Sequence, residues 1–242
     1  MIFRQLFDAE SSTYTYLLAD SLTREAMLID SVREQADRDV KLIEELGLKL
    51  VRVFDTHVHA DHVTGASTLR DRTGAKSVVG GRAAPCADLH VAHGDVLQVG
   101  SLEIDVLATP GHTDESVSYR VGDRVFTGDA MLVRGNGRTD FQNGDAATLY
   151  DSITCVLFAL PDETLVYPAH DYHGHTVTTI GEEKRCNPRI AGKTRDEFVA
   201  IMARLNLPAP RKLLEAVPAN QACGAVVRSP AGASPPPQGV PS

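Results

Sequence analysis

The sequence predicts an α+β fold in one domain, residues 1–228, and three observations predict it. Short stretches alternate apolar and polar residues, as half-buried strands do. Longer stretches between them carry apolar residues at helical spacing. Several strands also run directly into a histidine or aspartate.

In chain order, residues 3–7, 13–18 and 26–29 read as strands separated by turns. Residues 33–46 place Val40, Ile43 and Leu46 on one helical face, and Gly47 stops that helix. Residues 50–54 form a strand that leads into Asp55-Thr56-His57, and residues 64–72 read as a helix after the loop. The pattern then repeats. The strand at 102–107 leads to Thr109-Pro110-Gly111-His112, that at 124–127 to Gly128-Asp129, and that at 165–167 to Pro168-Ala169-His170. Residues 146–159, 176–185 and 195–205 read as helices. Residues 229–242, rich in Pro, Ala and Gly, bury too little apolar surface to offset their ordering entropy and are expected to be a disordered tail.

With 242 residues, 43% apolar and 23% charged, the chain can bury a substantial core. A net charge of −8 argues against a nucleic-acid partner, which needs clustered Lys and Arg. No apolar run approaches the length of about 18 residues that spans a membrane. Met1-Ile2-Phe3-Arg4-Gln5 lacks the basic-then-apolar pattern of a secretory signal, so a cytoplasmic protein is expected. The four cysteines, Cys86, Cys155, Cys186 and Cys223, form no C-x-x-C pair and read as reduced thiols. Gly135-Asn136-Gly137 lacks the strand and helix context of a phosphate loop and reads as a turn.

Imidazoles and carboxylates are the usual ligands of catalytic zinc and iron. His57 and His59, two apart in an extended stretch, share a face and can reach one ion together. Asp61 and His62 follow at once, and His112, Asp129 and His170 each arrive just after a strand. Strand ends of one sheet lie close in space, so these loops can converge.

This arrangement resembles the metallo-β-lactamase superfamily over about residues 2–190, on the H-x-H-x-D-H run of His57, His59, Asp61 and His62, then Gly111-His112-Thr113, Gly128-Asp129 and Ala169-His170. The resemblance implies an αββα sandwich, two packed mixed β-sheets flanked by helices, with metal at one edge. All seven ligand positions of two-metal members are present, so a dinuclear hydrolase of glutathione thioesters, similar to glyoxalase II, is one reading. Three segments point elsewhere. Val133-Arg134-Gly135-Asn136-Gly137-Arg138-Thr139-Asp140-Phe141-Gln142 resembles the R-G-x-G-R-T-D-F-Q segment of persulfide dioxygenases of the ethylmalonic encephalopathy protein type. His170-Asp171-Tyr172-His173-Gly174 and Glu183-Lys184-Arg185-Cys186-Asn187-Pro188-Arg189 resemble that family's H-D-Y-x-G and E-x-x-x-N-P-R segments. Asn136 stands where some relatives have Cys. The chain also ends before the helical C-terminal extension of glyoxalase II.

What this resemblance implies is one Fe(II) held by His57, His112 and Asp129, which are the catalytic set as well as the metal ligands. A 2-His-1-carboxylate triad leaves positions for a persulfide sulfur and for O2. The implied reaction oxidises glutathione persulfide to sulfite and glutathione. His59, Asp61, His62 and His170 then surround the ion through hydrogen bonds. Tyr172, Arg189, Arg138, Asn187 and Lys184 are the candidate substrate contacts, because two glutathione carboxylates need local cations in an acidic protein. Relatives suggest a homodimer by analogy. A non-catalytic metal-binding sulfur carrier or scaffold is the third reading.

Overall fold

The computed structural model describes residues 1–225, so the expected tail at 229–242 and the expected domain end at 228 lie outside the described residues. Two six-stranded sheets face each other. The first runs in chain order through β1 (Ile2–Asp8), β2 (Thr13–Ala19), β3 (Glu25–Ile29), β4 (Lys49–Phe54), β5 (Lys76–Gly80) and β6 (Leu89–Val91). Its first two pairings are antiparallel and the rest parallel. The second contains β7 (Val96–Val99), β8 (Leu102–Ala108), β9 (Val117–Val121), β10 (Arg124–Gly128), β11 (Leu165–Pro168) and β12 (Thr178–Thr179). Only its β10–β11 pairing is parallel.

Strand β2 explains the layering. All seven of its residues are buried, because each face has a partner layer. Tyr14, Tyr16 and Leu18 point between the sheets, where they meet Ile104, Val106, Tyr119 and Phe126. Leu17 and Ala19 point outward, onto Val40 and Ile43 of α1 (Ala36–Glu45) and Leu69 of α2 (Ala66–Thr73). On the far side, Val125 and Val166 pack under α3 (Ala146–Asp151), α4 (Ile180–Cys186) and α5 (Arg195–Met202) through Leu149, Ile180, Phe198 and Met202. The αββα sandwich expected from the sequence is therefore present.

Tyr16 ties the two sheets together. It packs against Phe126 at 4.9 Å, and its hydroxyl donates to the Pro168 carbonyl at 2.6 Å. Such an aromatic contact contributes about 0.5–1.5 kcal/mol beyond its buried area. Nearby backbone bonds gather the strand ends at one edge: Tyr14 N–H to Ala169 O, Ala169 N–H to Gly128 O, and Val117 N–H to Thr56 O.

Several local expectations change. The helix expected at 176–185 begins later, because Val166 and Leu165 pair with Thr178 and Thr179 as β12. Thr179 then caps α4 by accepting from the Glu182 N–H. The run at 146–159 stays helical throughout but passes from α to π and then to 3₁₀ hydrogen bonding after Asp151. A further helix, α6 (Leu213–Gln221), comes after α5. The cysteine reading is corrected outright. Cys86 and Cys223 form a disulfide across 137 residues, and only Cys155 and Cys186 are free. Spacing could not reveal it, because the fold rather than the sequence brings these thiols together.

Candidate metal centre

Each histidine in the cluster is set by what its other ring nitrogen touches. Strand β4 ends at Phe54, and Thr56 comes next against a buried carboxylate. Asp30, just past β3, accepts from the Thr56 N–H at 2.8 Å and from its hydroxyl at 3.0 Å. That hydroxyl proton is thereby committed to Asp30. The 2.9 Å contact between Thr56 Oγ1 and His57 Nδ1 is then an N–H of His57 donating, which leaves Nε2 as the lone-pair nitrogen. His112 obeys the same logic. Its Nδ1 lies 2.6 Å from the Arg138 carbonyl and must donate, so its Nε2 is also free. Asp129, at the end of β10, directs Oδ2 to 3.6 Å from that His112 Nε2.

Donor atoms of His57, His112 and Asp129 all lie within 4.8 Å of one another. Those of His59, Asp61 and His62 form a second group within the same limit. His59 Nε2 is held by Asp30 at 3.1 Å, and His62 Nδ1 by Asp61 at 2.9 Å. Between the two groups stands His170. Its Nδ1 donates to the Ser12 carbonyl at 3.2 Å, and its Nε2 sits 3.6 Å from Asp61 and 3.7 Å from Asp129.

The donor set fits a metal ion. Asp129 Oδ1, His59 Nδ1 and His62 Nε2 are buried with no hydrogen-bond partner, which is costly unless something meets them. The His57 ring is 4.1 Å from that of His59 and 4.8 Å from that of His112. Burial, reinforced by the neighbouring His59 and His112, pushes the His57 imidazole well below its ordinary range, so it is the neutral form a metal requires. Burial also opposes charge on His59 and His170, but carboxylates prevail. Asp30 raises His59 to about 9, and Asp129 with Asp61 raises His170 to about 10.

The segment 132–138 wraps the ligands from outside. A Cβ on Gly137 would meet the Asp129 carbonyl at 2.6 Å and His112 Nδ1 at 2.8 Å, so this loop touches both ligands only because residue 137 is glycine. Gly128 has φ +52 and lies against Thr56 Oγ1, where a side chain would collide at 2.5 Å. The loop is pinned by a fully buried carboxylate. Glu183 accepts from the Arg134 N–H at 3.0 Å, the Arg134 guanidinium at 2.5 Å, Asn187 Nδ2 at 2.9 Å and the Thr178 hydroxyl at 2.8 Å.

Similarity to known proteins runs through the same residues. The model of the metallo-beta-lactamase superfamily matches residues 9–85 and 87–170. The persulfide dioxygenases ETHE1, mitochondrial, of Mus musculus and of Homo sapiens are each 49% identical to this chain over 227 residues, covering 93% of it and 89% of the relative. A crystal structure of ETHE1 from Myxococcus xanthus superposes with a TM-score of 0.92 at 66% identity, covering 93% of this chain and all of that one. The chain belongs to the persulfide dioxygenase family of the metallo-β-lactamase superfamily.

Within this persulfide dioxygenase family member, the expected substrate contacts divide. Tyr172 is 67% exposed and stacks on the His170 ring at 6.2 Å and 11°, beside the cluster. Arg189 donates to the Asn136 carbonyl at 2.7 Å and has no carboxylate partner among the described residues. Arg138 departs from expectation. Asp140 takes its fork at 2.6 and 2.7 Å, the Pro208 carbonyl takes Nη1, and the group lies over the Phe141 ring. Lys184 also departs, with its ammonium 2.6 Å from Asp162. Asn187 is buried and spends its amide on Glu183 and the Gly135 carbonyl. Each of the three already has a partner within the protein, and of the three only Asn187 is buried.

Sequence reasoning missed Asp30, which directly follows β3 just as Asp129 directly follows β10; the same strand-to-carboxylate junction was there to be read. It also missed Asn220, whose amide donates to the His59 and His62 carbonyls and which no local pattern marks.

Proposed function

We propose that this persulfide dioxygenase oxidises glutathione persulfide with O2 at a single Fe(II) held by His57 Nε2, His112 Nε2 and Asp129. In the balanced reaction, persulfide, O2 and water give glutathione, sulfite and two protons. The convergence of these three donors within 4.8 Å carries the reading, together with relatives named persulfide dioxygenase. Bound there, ferrous iron supplies the redox chemistry that zinc lacks, with positions of its sphere left for sulfur and O2.

The chain's own groups do the rest. Thr56 and the Arg138 carbonyl fix the two imidazole tautomers, so both lone pairs face one point. His59, Asp61, His62 and His170 surround that point and hold water and protons there through their hydrogen bonds. Arg189, with guanidinium donors to spare, and the exposed Tyr172 hydroxyl bind the tripeptide. Arg138, Asn187 and Lys184 already bond to Asp140, Glu183 and Asp162, and no substrate role is assigned to them. A carboxylate-bearing substrate entering a chain of net charge −8 depends on such a local cation. The relatives favour neither the dinuclear hydrolase nor the non-catalytic reading.

An oxygen electrode tests this with iron-loaded protein and glutathione persulfide. Stoichiometric O2 uptake with sulfite release is expected. Thioester cleavage with no O2 uptake would overturn it.

A further inference from the structure

The loop carrying His57 to His62 is held by a residue far outside the metal-ligand motifs. Asn220, in α6, is 4% exposed and spends its whole carboxamide on that loop. Its Nδ2 donates to the His59 carbonyl at 2.9 Å and the His62 carbonyl at 2.8 Å, while its Oδ1 accepts from the Thr64 N–H at 2.8 Å. One side chain thus spans the H-x-H-x-D-H run and the residues just after it.

Little apolar surface holds α6 in place. It has nine residues, contains Pro218, and buries only Ala216, Ala219 and Asn220. Its core contact is Val63 against two alanine methyls, while Leu214 is 91% exposed. Elements with so few buried contacts open locally at low cost. The residues just past the helix compensate. The Cys223 carbonyl accepts from the Ser67 N–H at 3.0 Å, and Gly224 presses on the Thr64 carbonyl so closely that a Cβ would meet it at 2.2 Å. Cys223 is cross-linked to Cys86, with the Cα atoms 6.0 Å apart. Cys86 lies in the loop between β5 and β6, whose Ala84 packs with Cys223 and Val79.

We propose that Asn220 is a positioning residue for the metal loop, and that the Cys86–Cys223 cross-link makes its grip sensitive to thiols. Cys86 is the exposed end and Cys223 the buried one, so a low-molecular-weight thiolate attacks Cys86 Sγ. A bond forms between the thiol sulfur and Cys86, the protein disulfide breaks, and the electron pair leaves on Cys223, which takes up a proton. A second thiol displaces Cys86 and completes a small-molecule disulfide. The two thiols are oxidised by two electrons, and both cysteines are reduced. Helix α6 then keeps its weak packing and the Ser67–Cys223 backbone bond without the covalent tie, and Asn220 leaves the His59 and His62 carbonyls more often. Metal retention falls because the loop carrying His57 loses its brace. The inference rests on the proposed metal site, and exchange at Thr64, which needs no metal, separates its failure from a failure of that reading.

The test uses the full iron-loaded chain, scored by iron release to an excess of chelator and by amide exchange of the segment containing Thr64. Five samples are compared: oxidised protein, protein reduced with dithiothreitol and desalted anaerobically, C86S, N220D and N220D reduced in the same way. Asp keeps the size of Asn and the acceptor for Thr64 but loses both donors. Reduction, C86S and N220D should each speed iron release on the order of tenfold. Reduction of N220D should add nothing, because both act through one grip. Faster Thr64 exchange should accompany reduction. Release and exchange within twofold of the oxidised protein after confirmed reduction, or four free thiols in freshly unfolded protein, would overturn the switch. An N220D protein with unchanged release would overturn the positioning role. Should N220D not fold, the oxidised and reduced native chains decide.

Discussion

Asp30→Asn perturbs the metal centre without touching a ligand. The carboxylate is 1% exposed and receives the Thr56 N–H at 2.8 Å, the Thr56 hydroxyl at 3.0 Å and His59 Nε2 at 3.1 Å. Asn has the same shape, so packing survives. An N–H₂ now replaces one oxygen and donates to Thr56 Oγ1. The Thr56 hydrogen then turns toward His57 Nδ1, and the His57 proton moves to Nε2, the nitrogen that must be bare to bind metal. Bonds to an ionised group are worth about 1.5–3 kcal/mol against about 0.5–1.5 for neutral ones. Weakening the Thr56 and His59 bonds by about 1 kcal/mol each costs the metal-free protein about 2 kcal/mol. Disturbing a partner of a metal-ligating histidine lowers metal affinity about 10–100-fold. Chelator competition reads the second quantity and urea unfolding of metal-free protein the first. Iron affinity within twofold of the native value, with an unmoved urea midpoint, would refute the claim that Asp30 sets the His57 tautomer.

The same geometry gives other outcomes. Gly137→Ala drives a methyl into the Asp129 carbonyl and His112 Nδ1, so purified protein should lose most of its iron by metal analysis. Under the proposed substrate role of Arg189, Arg189→Ala removes charge-assisted bonds worth about 1.5–3 kcal/mol, so KM for glutathione persulfide should rise on the order of 10–100-fold with kcat little changed. Metal-free protein should lose stability as pH rises. His59 and His170 have folded values raised to about 9 and about 10 above an ordinary 6.5, so their contribution is full below 6.5 and fades through those values. Urea midpoints from pH 6 to 10 check the sign, and a midpoint that climbs with pH would contradict it.

The sequence announced the fold through strands whose ends carry chemistry. Strands β1 to β4, β8, β10 and β11 were legible because apolar alternation or a buried run met a turn signal or a His or Asp. Strands β5, β6, β7, β9 and β12 were not. Lys76–Gly80 and Leu89–Val91 are too short to show a period, and β9 hides its alternation because Ser118 is buried, paired with the Thr109 hydroxyl. Helix α6 escaped because Pro218 interrupts a weak pattern and its purpose is a tertiary contact. The candidate metal ligands stood out because their residue types are chemically restricted. The candidate substrate contacts did so less, since an arginine's partner depends on the fold. Asp140, two residues from Arg138, consumes one guanidinium, while Arg189 keeps donors in reserve.

The central claim concerns where one ion sits. Diffraction from iron-loaded crystals at the iron absorption edge measures it directly. A single anomalous peak should fall within bonding distance of the bare imidazole nitrogens of residues 57 and 112 and the carboxylate of residue 129. A peak of equal height among His59, Asp61 and His62, or density displaced wholly to that second group, would contradict it.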